Sequence, residues 1–219
     1  MSMRLIVQIT VVVVLVVFFG AGFWHERRLV KLKADQAAAF SAALVRAHAP
    51  IIGPAEAPVT IVEFFDPSCE SCRAFYPIVK QIIARFAGDV RLVLRYAAFH
   101  EGSDEVVRML EAARSQNLFE PVLEALLKAQ PNWAVHGNPN LQLAWQVALS
   151  AGLDTDRAKI DLTQPAIEQV LRQDAEDVQT LEVRGTPTFF VNGKPLSALG
   201  PRQLYDAVAN EVQKLPGRQ

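Results

Sequence analysis

The chain has 219 residues, which is enough for one well-buried domain and a tail but short for two full domains. Its formal net charge of −1 at pH 7 gives no basic excess for nucleic acid, so we expect neither RNA nor DNA as a partner. Two cysteines are too few for a disulfide-stapled scaffold.

The first segment is apolar. The run Leu5–Trp24 contains no charged residue, and only Gln8 and Thr10 in it are polar. About 20 apolar residues cross a bilayer as a helix. We therefore predict a transmembrane anchor within residues 1–24. A cleaved signal peptide is the alternative, with Arg4 as its charged start, and a buried core helix is a third.

The charges that flank this run bear on the orientation of the predicted anchor in the membrane. Arg27, Arg28, Lys31 and Lys33 follow the run, whereas only Arg4 precedes it. By the positive-inside rule alone, the C-terminal part of the chain would lie in the cytoplasm.

Residues 25–50 are predicted to form a helical stalk or linker. Residues 25–48 are rich in Ala, Leu, Lys and Arg and contain neither Gly nor Pro, which favours a helix. This helix could form an oligomer or lie on its own domain. Three prolines and a glycine then mark the start of a globular domain, predicted to span residues 51–215.

The domain is predicted to open with a strand, a helix and a second strand. The β-branched and aromatic run 59–65 reads as a buried strand, residues 69–86 have helical apolar spacing, and residues 90–99 read as a strand. Two strands joined by such a helix should lie parallel.

Residues 101–184 are predicted to be a helical insertion, with four apolar stripes at helical spacing. The separators are Pro131, Gly137, Pro139 and Gly152. The sequence TFFVNGKPLSAL then predicts a hairpin with an Asn-Gly turn, followed by a last helix that begins at Pro201.

The chemistry is concentrated in the CESC motif at residues 69–72. Cys69 and Cys72 are close enough to form a disulfide, and Cys69 lies where the helix begins. Free backbone N–H groups and the helix dipole stabilise a thiolate there, which lowers the pKa of Cys69 and makes it the attacking sulfur. Cys72, one turn into the helix, should be the more buried, resolving sulfur. A low pKa favours the reduced pair and so makes the disulfide an oxidant.

Metal binding is the main rival to redox chemistry. A structural zinc site needs four ligands, and the histidines stand at no short spacing from the cysteine pair. These histidines are His25, His48, His100 and His136. Two thiolates can bind Cu(I), so a periplasmic copper-binding or copper-tolerance protein is the runner-up. A structural cross-link is the weakest alternative, because so short a loop removes little entropy.

The motifs VEFFDPSCESC and RGTPTFFVNG, in this order and before a hairpin and a last helix, resemble those of the DsbA-like thiol-disulfide oxidoreductases. The resemblance covers residues 52–214 and implies an α/β thioredoxin fold with a helical insertion. It also implies that Pro187 is a cis-proline facing the cysteines and binding substrate backbone, and that Thr186 presents its backbone to the sulfurs. An ordinary β-branched residue entering a strand is the alternative for Thr186.

Glu63 stands in an otherwise apolar strand, where a carboxylate is costly unless it has a partner or a purpose. The resemblance implies that it assists proton movement at the second cysteine. The alternative is that Glu63 points to water from a sheet edge. Asp66, just before Pro67, is predicted to be a turn or cap residue.

The motif departs from DsbA between the cysteines. DsbA carries Pro-His there, whereas this chain has Glu70 and Ser71. The charge of Glu70 opposes a neighbouring thiolate. We therefore predict that Cys69 is less acidic, and the protein a milder oxidant, than DsbA.

The resemblance implies an oxidising compartment. We expect a single-pass protein of the bacterial inner membrane with its domain in the periplasm. The basic residues that flank the apolar run would, by themselves, predict the opposite orientation. Exported proteins would be the substrates, and a redox partner would reset the cysteine pair. No cofactor or metal is expected, because the pair is itself the redox centre. An isomerase or reductase role stays open.

Overall fold

The computed structural model describes residues 3–217, except for the side chains of residues 4–21. The chain divides into two compact units, one up to Ala42 and one from Ala43. Helix α1 runs from Met3 to Leu44. The predicted anchor 5–24 lies largely outside the described side chains. Within the described part of the chain, no helix is long and apolar enough to cross a membrane.

The second unit is a five-stranded mixed sheet with helices around it. The strands are β1 (Ile51–Ile52), β2 (Val59–Phe65), β3 (Val90–Tyr96), β4 (Thr188–Val191) and β5 (Lys194–Pro195). The helices are α2 (Glu70–Arg85), α3 (Ser103–Ser115), α4 (Phe119–Trp133), α5 (Leu141–Ser150), α6 (Thr155–Asp161), α7 (Pro165–Thr180) and α8 (Pro201–Val212). This is the thioredoxin-like α/β fold with a helical insertion.

The predicted strand–helix–strand unit forms the centre of the sheet. The sheet order is β1-β3-β2-β4-β5, and β2 pairs parallel with β3 over its whole length, from Val59 opposite Val90 to Phe65 opposite Tyr96. Both strands are buried on both faces, which explains their continuous apolar runs. Strand β1, which has two residues and lies antiparallel to β3, was not predicted from the sequence.

The insertion consists of α3 to α7, of which the apolar stripes predicted four. Helix α6 is the one that was missed, because it is one short segment with Ala158 as its buried residue. The prediction that Pro131 separates two helices is wrong. It lies inside the last turn of α4, where the chain stays helical as far as Trp133.

The hairpin and the last helix are as predicted. Asn192 and Gly193 have φ values of 46° and 79°, the left-handed conformation that a two-residue hairpin turn requires. Helix α8 begins at Pro201, which lacks the N–H that a first helical residue leaves unused.

A buried charge network fixes β3 to the insertion. Arg95 is 0% exposed, and its Nη2 lies 2.7 Å from Asp174 Oδ1 and 2.6 Å from Asp177 Oδ2. Arg46 pairs with Asp177 at 2.6 Å, and His48 Nε2 lies 2.6 Å from Asp174. The helix predicted to reach residue 48 ends at Leu44 instead. Arg46 and His48 lie beyond its end, where they pair with the two aspartates of α7.

We predict that Arg95→Met lowers the free energy of unfolding by about 3–5 kcal/mol, because it leaves two buried carboxylates without their main partner. Arg202→Met is the matched control. Arg202 is an exposed side chain 3.6 Å from Asp206, and its loss should cost less than about 0.5 kcal/mol. Urea unfolding followed by circular dichroism measures both. Equal losses in the two variants would contradict the prediction.

Candidate active site

Cys69 is the residue at which the backbone changes from extended to helical. Its φ and ψ are −77° and 121°, and α2 begins at the next residue. Its own N–H donates to the carbonyl O of Asp66 at 3.1 Å. The N–H groups of Ser71 and Cys72, which have no partner within the first helical turn, stabilise a charge on its sulfur. Cys69 is 6% exposed and Cys72 0% exposed, so Cys72 is the more buried sulfur, as predicted.

The two sulfurs differ strongly in acidity. A hydrogen bond from the Cys72 side chain lowers the pKa of Cys69 to about 5; burial opposes this, and the Thr186 side chain and two backbone N–H groups add to it. Burial, followed by the interactions with Cys69 and Glu63, raises the pKa of Cys72 far above its usual value. At neutral pH the pair therefore holds one thiolate, on Cys69, and one buried thiol.

The turn before β4 lies against Cys69. The Thr186–Pro187 peptide bond is cis, and Pro187 is buried. When Cys69 is protonated, its Sγ donates to the carbonyl O of Thr186 at 3.2 Å. Fold and sequence thus bring together two motifs that are more than 100 residues apart in the chain, as the resemblance implies.

Glu63 lies in the central strand, so the alternative that it points to water from an edge is wrong. It stands opposite Leu94 on one side and Phe189 on the other, and it is 1% exposed. Among the described residues, neither carboxylate oxygen has a hydrogen-bond partner. Burial, with the charge of Cys69 as a second cause, raises the pKa of Glu63 to about 8. Glu63 therefore carries a proton at neutral pH.

Asp66 does more than the turn role predicted for it. It is fully buried, and its Oδ1 accepts from Ser68 N–H at 2.8 Å and from Ser103 Oγ at 2.5 Å. Its Oδ2 accepts from the N–H groups of Phe99 at 2.7 Å and His100 at 3.0 Å. The predicted strand 90–99 therefore ends early, at Tyr96, because Asp66 draws the following residues into a loop.

Gln130 is a site residue that the sequence did not indicate. It is a buried side chain of α4, and its Nε2 donates to the carbonyl O of Pro67 at 2.8 Å and of Cys69 at 3.0 Å. Its Oε1 accepts from Arg73 Nε at 2.9 Å. The insertion thus holds the backbone at Pro67 and at Cys69. Its only signal in the sequence is a polar residue on the apolar face of a helix.

Two of the four histidines meet beside the CESC motif. The rings of His100 and His136 lie 5.4 Å apart between centroids, and His136 Nε2 is 2.8 Å from Glu70 Oε1. These two histidines, which stand at no short spacing from the cysteine pair in the sequence, therefore lie together beside the motif in the structure. In the described part of the chain, no three His, Cys, Asp or Glu side chains are grouped to hold a metal ion.

The comparison with known proteins agrees with this geometry. The family model described as Thioredoxin matches residues 46–210. A solved thioredoxin-like oxidoreductase from Silicibacter pomeroyi is 31% identical with a TM-score of 0.67, over 78% of this chain and 95% of that one. BdbD from Bacillus subtilis, in its oxidised form, is 25% identical with a TM-score of 0.67, over 76% and 94%. A Proteus mirabilis ScsC variant, at 20% identity and a TM-score of 0.68, covers 98% of both chains and shares the fold.

The curated relatives that match this chain are much longer than it is. The Na(+)/H(+) antiporter NhaA of Herminiimonas arsenicoxydans is 32% identical over 157 residues, which are 72% of this chain and 24% of that protein. The chain thus spans about a quarter of the length of the curated relatives it matches.

We predict that iodoacetamide alkylates Cys69 of the reduced protein at a rate that is half-maximal near pH 5, because the thiolate is the nucleophile. Cys72 should stay unmodified, since its sulfur is buried and protonated. Mass spectrometry after alkylation at each pH identifies the modified residue. Cys69→Ser should remove the reaction, and a midpoint near pH 9 would contradict the prediction.

We predict that Glu63→Gln makes the reduced protein more stable relative to wild type as pH rises from about 5 to 8. Unfolded Glu63 loses its proton near pH 4.3, whereas the folded residue keeps it to about pH 8. The native state then binds the extra proton, so Glu63 makes a contribution that lowers wild-type stability over this range and that the glutamine variant lacks. The relative gain should be about 2–4 kcal/mol.

Urea unfolding at pH 5 and pH 8 measures this gain. Glu182→Gln, at an exposed residue with a 3.6 Å ion pair to Arg184, is the control and should show no such trend. A gain for Glu63→Gln that shrinks with pH would mean that the buried carboxylate is ionised.

Proposed function

We propose that this chain, which belongs to the thioredoxin family, oxidises the thiols of exported proteins by disulfide exchange at Cys69 and Cys72. Protein thiol-disulfide oxidoreductase activity is the activity that its family and fold support. One observation carries the assignment of the reactive sulfur: Cys69 has a pKa of about 5 and lies 3.2 Å from the carbonyl O of Thr186.

In the first step, a substrate thiolate attacks Sγ of Cys69 in the disulfide form of the pair. The Cys69–Cys72 bond breaks, a mixed disulfide forms with Cys69, and Cys72 leaves with the electron pair. The Cys72 sulfur is buried and needs a proton, because its thiolate is strongly disfavoured. Glu63, neutral below about pH 8, is the residue that we assign as its donor.

In the second step, another thiolate of the substrate attacks its own sulfur in the mixed disulfide. The substrate disulfide forms, and Cys69 leaves as a thiolate, so both electrons remain on the cysteine pair. The low pKa of Cys69 makes it a good leaving group. A redox partner must then remove these two electrons before the next cycle.

The turn at Thr186 and Pro187 is the surface that we assign to the substrate backbone. The carbonyl O of Thr186 is next to the reactive sulfur. An extended substrate segment could pair with this turn and thereby hold its own cysteine in line with Cys69, as in recognition by strand addition.

The direction of exchange that we favour is oxidation. Stabilising the Cys69 thiolate lowers the free energy of the reduced pair, which makes the disulfide a stronger oxidant. An oxidant needs an oxidising compartment. We therefore place the domain in the periplasm, tethered by residues 5–24, although the basic residues after that segment argue against this orientation. Protease accessibility of the domain in intact spheroplasts tests the orientation.

We predict that reduced Cys72→Ser, given a disulfide-bonded substrate, accumulates a mixed disulfide with Cys69. The Cys69 thiolate breaks the substrate disulfide and releases one substrate thiolate, but no Cys72 sulfur remains to displace the substrate from Cys69. Cys69→Ser should form no such species and should lose oxidation of a dithiol peptide. Ser71→Ala is the matched control and should keep most of the activity, because the cysteines are unchanged. Non-reducing gels and peptide fluorescence measure the two effects.

Thiol trapping of the cysteine pair in cells gives the direction. A mostly oxidised pair supports an oxidant, and a mostly reduced pair would indicate an isomerase or a reductase. Tight Cu(I) binding without any exchange activity would replace the proposal by the copper-binding alternative.

A further inference from the structure

Four ionisable side chains, here called the histidine cluster, border the start of α2. They are Asp66, Glu70, His100 and His136. Asp66 and Glu70 stand on either side of Cys69 in the chain, while the histidines come from the loops after β3 and after α4. None of the exchange steps above uses this cluster.

His100 is held in one orientation. Its Nδ1 lies 2.8 Å from Asp66 Oδ2, and its backbone N–H donates to the same oxygen at 3.0 Å. Asp66 is itself fixed, because Ser68 and Ser103 occupy its other oxygen. With Nδ1 donating to a carboxylate, the remaining nitrogen, Nε2, is where the ring gains or loses its second proton.

His136 is the hydrogen-bond partner of Glu70, the carboxylate that follows Cys69 in the sequence. Glu70 is ionised at neutral pH: its own N–H group lowers its pKa first, and the hydrogen bond from His136 lowers it further. His136 Nε2 lies 2.8 Å from Glu70 Oε1. The carboxylate that was expected to oppose the Cys69 thiolate therefore has a partner of its own.

The charges around His100 favour its cation. Asp66 and His136 contact its ring, the charges of Cys69 and Glu70 also act on it, and Glu101 is adjacent in the chain. Burial by itself lowers the pKa of His100, but the hydrogen bond to Asp66 and the charges of Asp66, Cys69 and Glu70 outweigh it, so the pKa is raised. Such coupling is reciprocal: a thiolate that favours the imidazolium is favoured by it in turn.

We propose that His100 is a positioning residue for the redox centre: its imidazolium, held by Asp66 and backed by the His136–Glu70 pair, stabilises the Cys69 thiolate and so adds to the oxidising strength of the disulfide. This histidine lies in the loop after β3 and not within the CESC motif. As pH rises through the titration of His100, this support is lost. This inference rests on the proposed function, in which Cys69 is the exchanging sulfur.

His100→Gln in the full chain tests the proposal, because the amide can still donate to Asp66 while the charge is removed. We expect the pKa of Cys69, read from thiolate absorbance, to rise by about one unit, a tenfold change in its acidity. The equilibrium of the disulfide with glutathione should shift about three- to tenfold toward the oxidised protein.

His48→Gln is the matched control, since His48 also pairs with a buried aspartate, Asp174, at 2.6 Å. It should leave the pKa of Cys69 and the glutathione equilibrium unchanged. A shift below twofold in His100→Gln, or an equal shift in His48→Gln, would overturn the proposal.

A second measurement needs no variant at position 100. An NMR titration of His100 in wild-type protein should give a higher midpoint in the reduced form, which carries the thiolate, than in the disulfide form. Equal midpoints would overturn the proposal. Neither measurement involves a client protein, so a failure to oxidise clients would disprove the proposed function without altering this result.

Discussion

The negative charge on Cys69 has to be stabilised without much water, because its sulfur is only 6% exposed. Burial alone would raise its pKa. The Cys72 thiol, the Thr186 side chain and the first N–H groups of α2 provide the compensation. The site therefore depends on keeping the start of α2, the Cys72 thiol and the turn before β4 in fixed positions around the Cys69 sulfur.

The helical insertion is part of that framework. Gln130 of α4 binds the carbonyl groups of Pro67 and Cys69, and Asp66 binds the loop that leads from β3 into α3. The segment around Cys69 is thus held from the sheet on one side and from the insertion on the other. Arg95, which pairs with two buried aspartates of α7, fixes strand β3 to that helix.

Glu63 is the proton source that we propose for the second sulfur, that of Cys72. Glu63 lies in the middle of the sheet without a hydrogen-bond partner among the described residues, and burial keeps it neutral at pH 7. A buried acid of this kind lowers stability as pH rises, because it must lose its proton in the unfolded state.

The sequence by itself determined most of the strands and helices, the parallel strand pair, the Asn-Gly hairpin and the position of Cys69 at a helix start, because these follow from local periodicity and turn chemistry. It did not determine the short strand β1, the helix α6 or the roles of Asp66 and Gln130. Nor did it show that His100 and His136, 36 positions apart, lie with their rings 5.4 Å from one another. Tertiary structure decided these features, because they depend on contacts between segments far apart in the chain, and no local pattern records which distant side chain completes a hydrogen bond or offsets a charge.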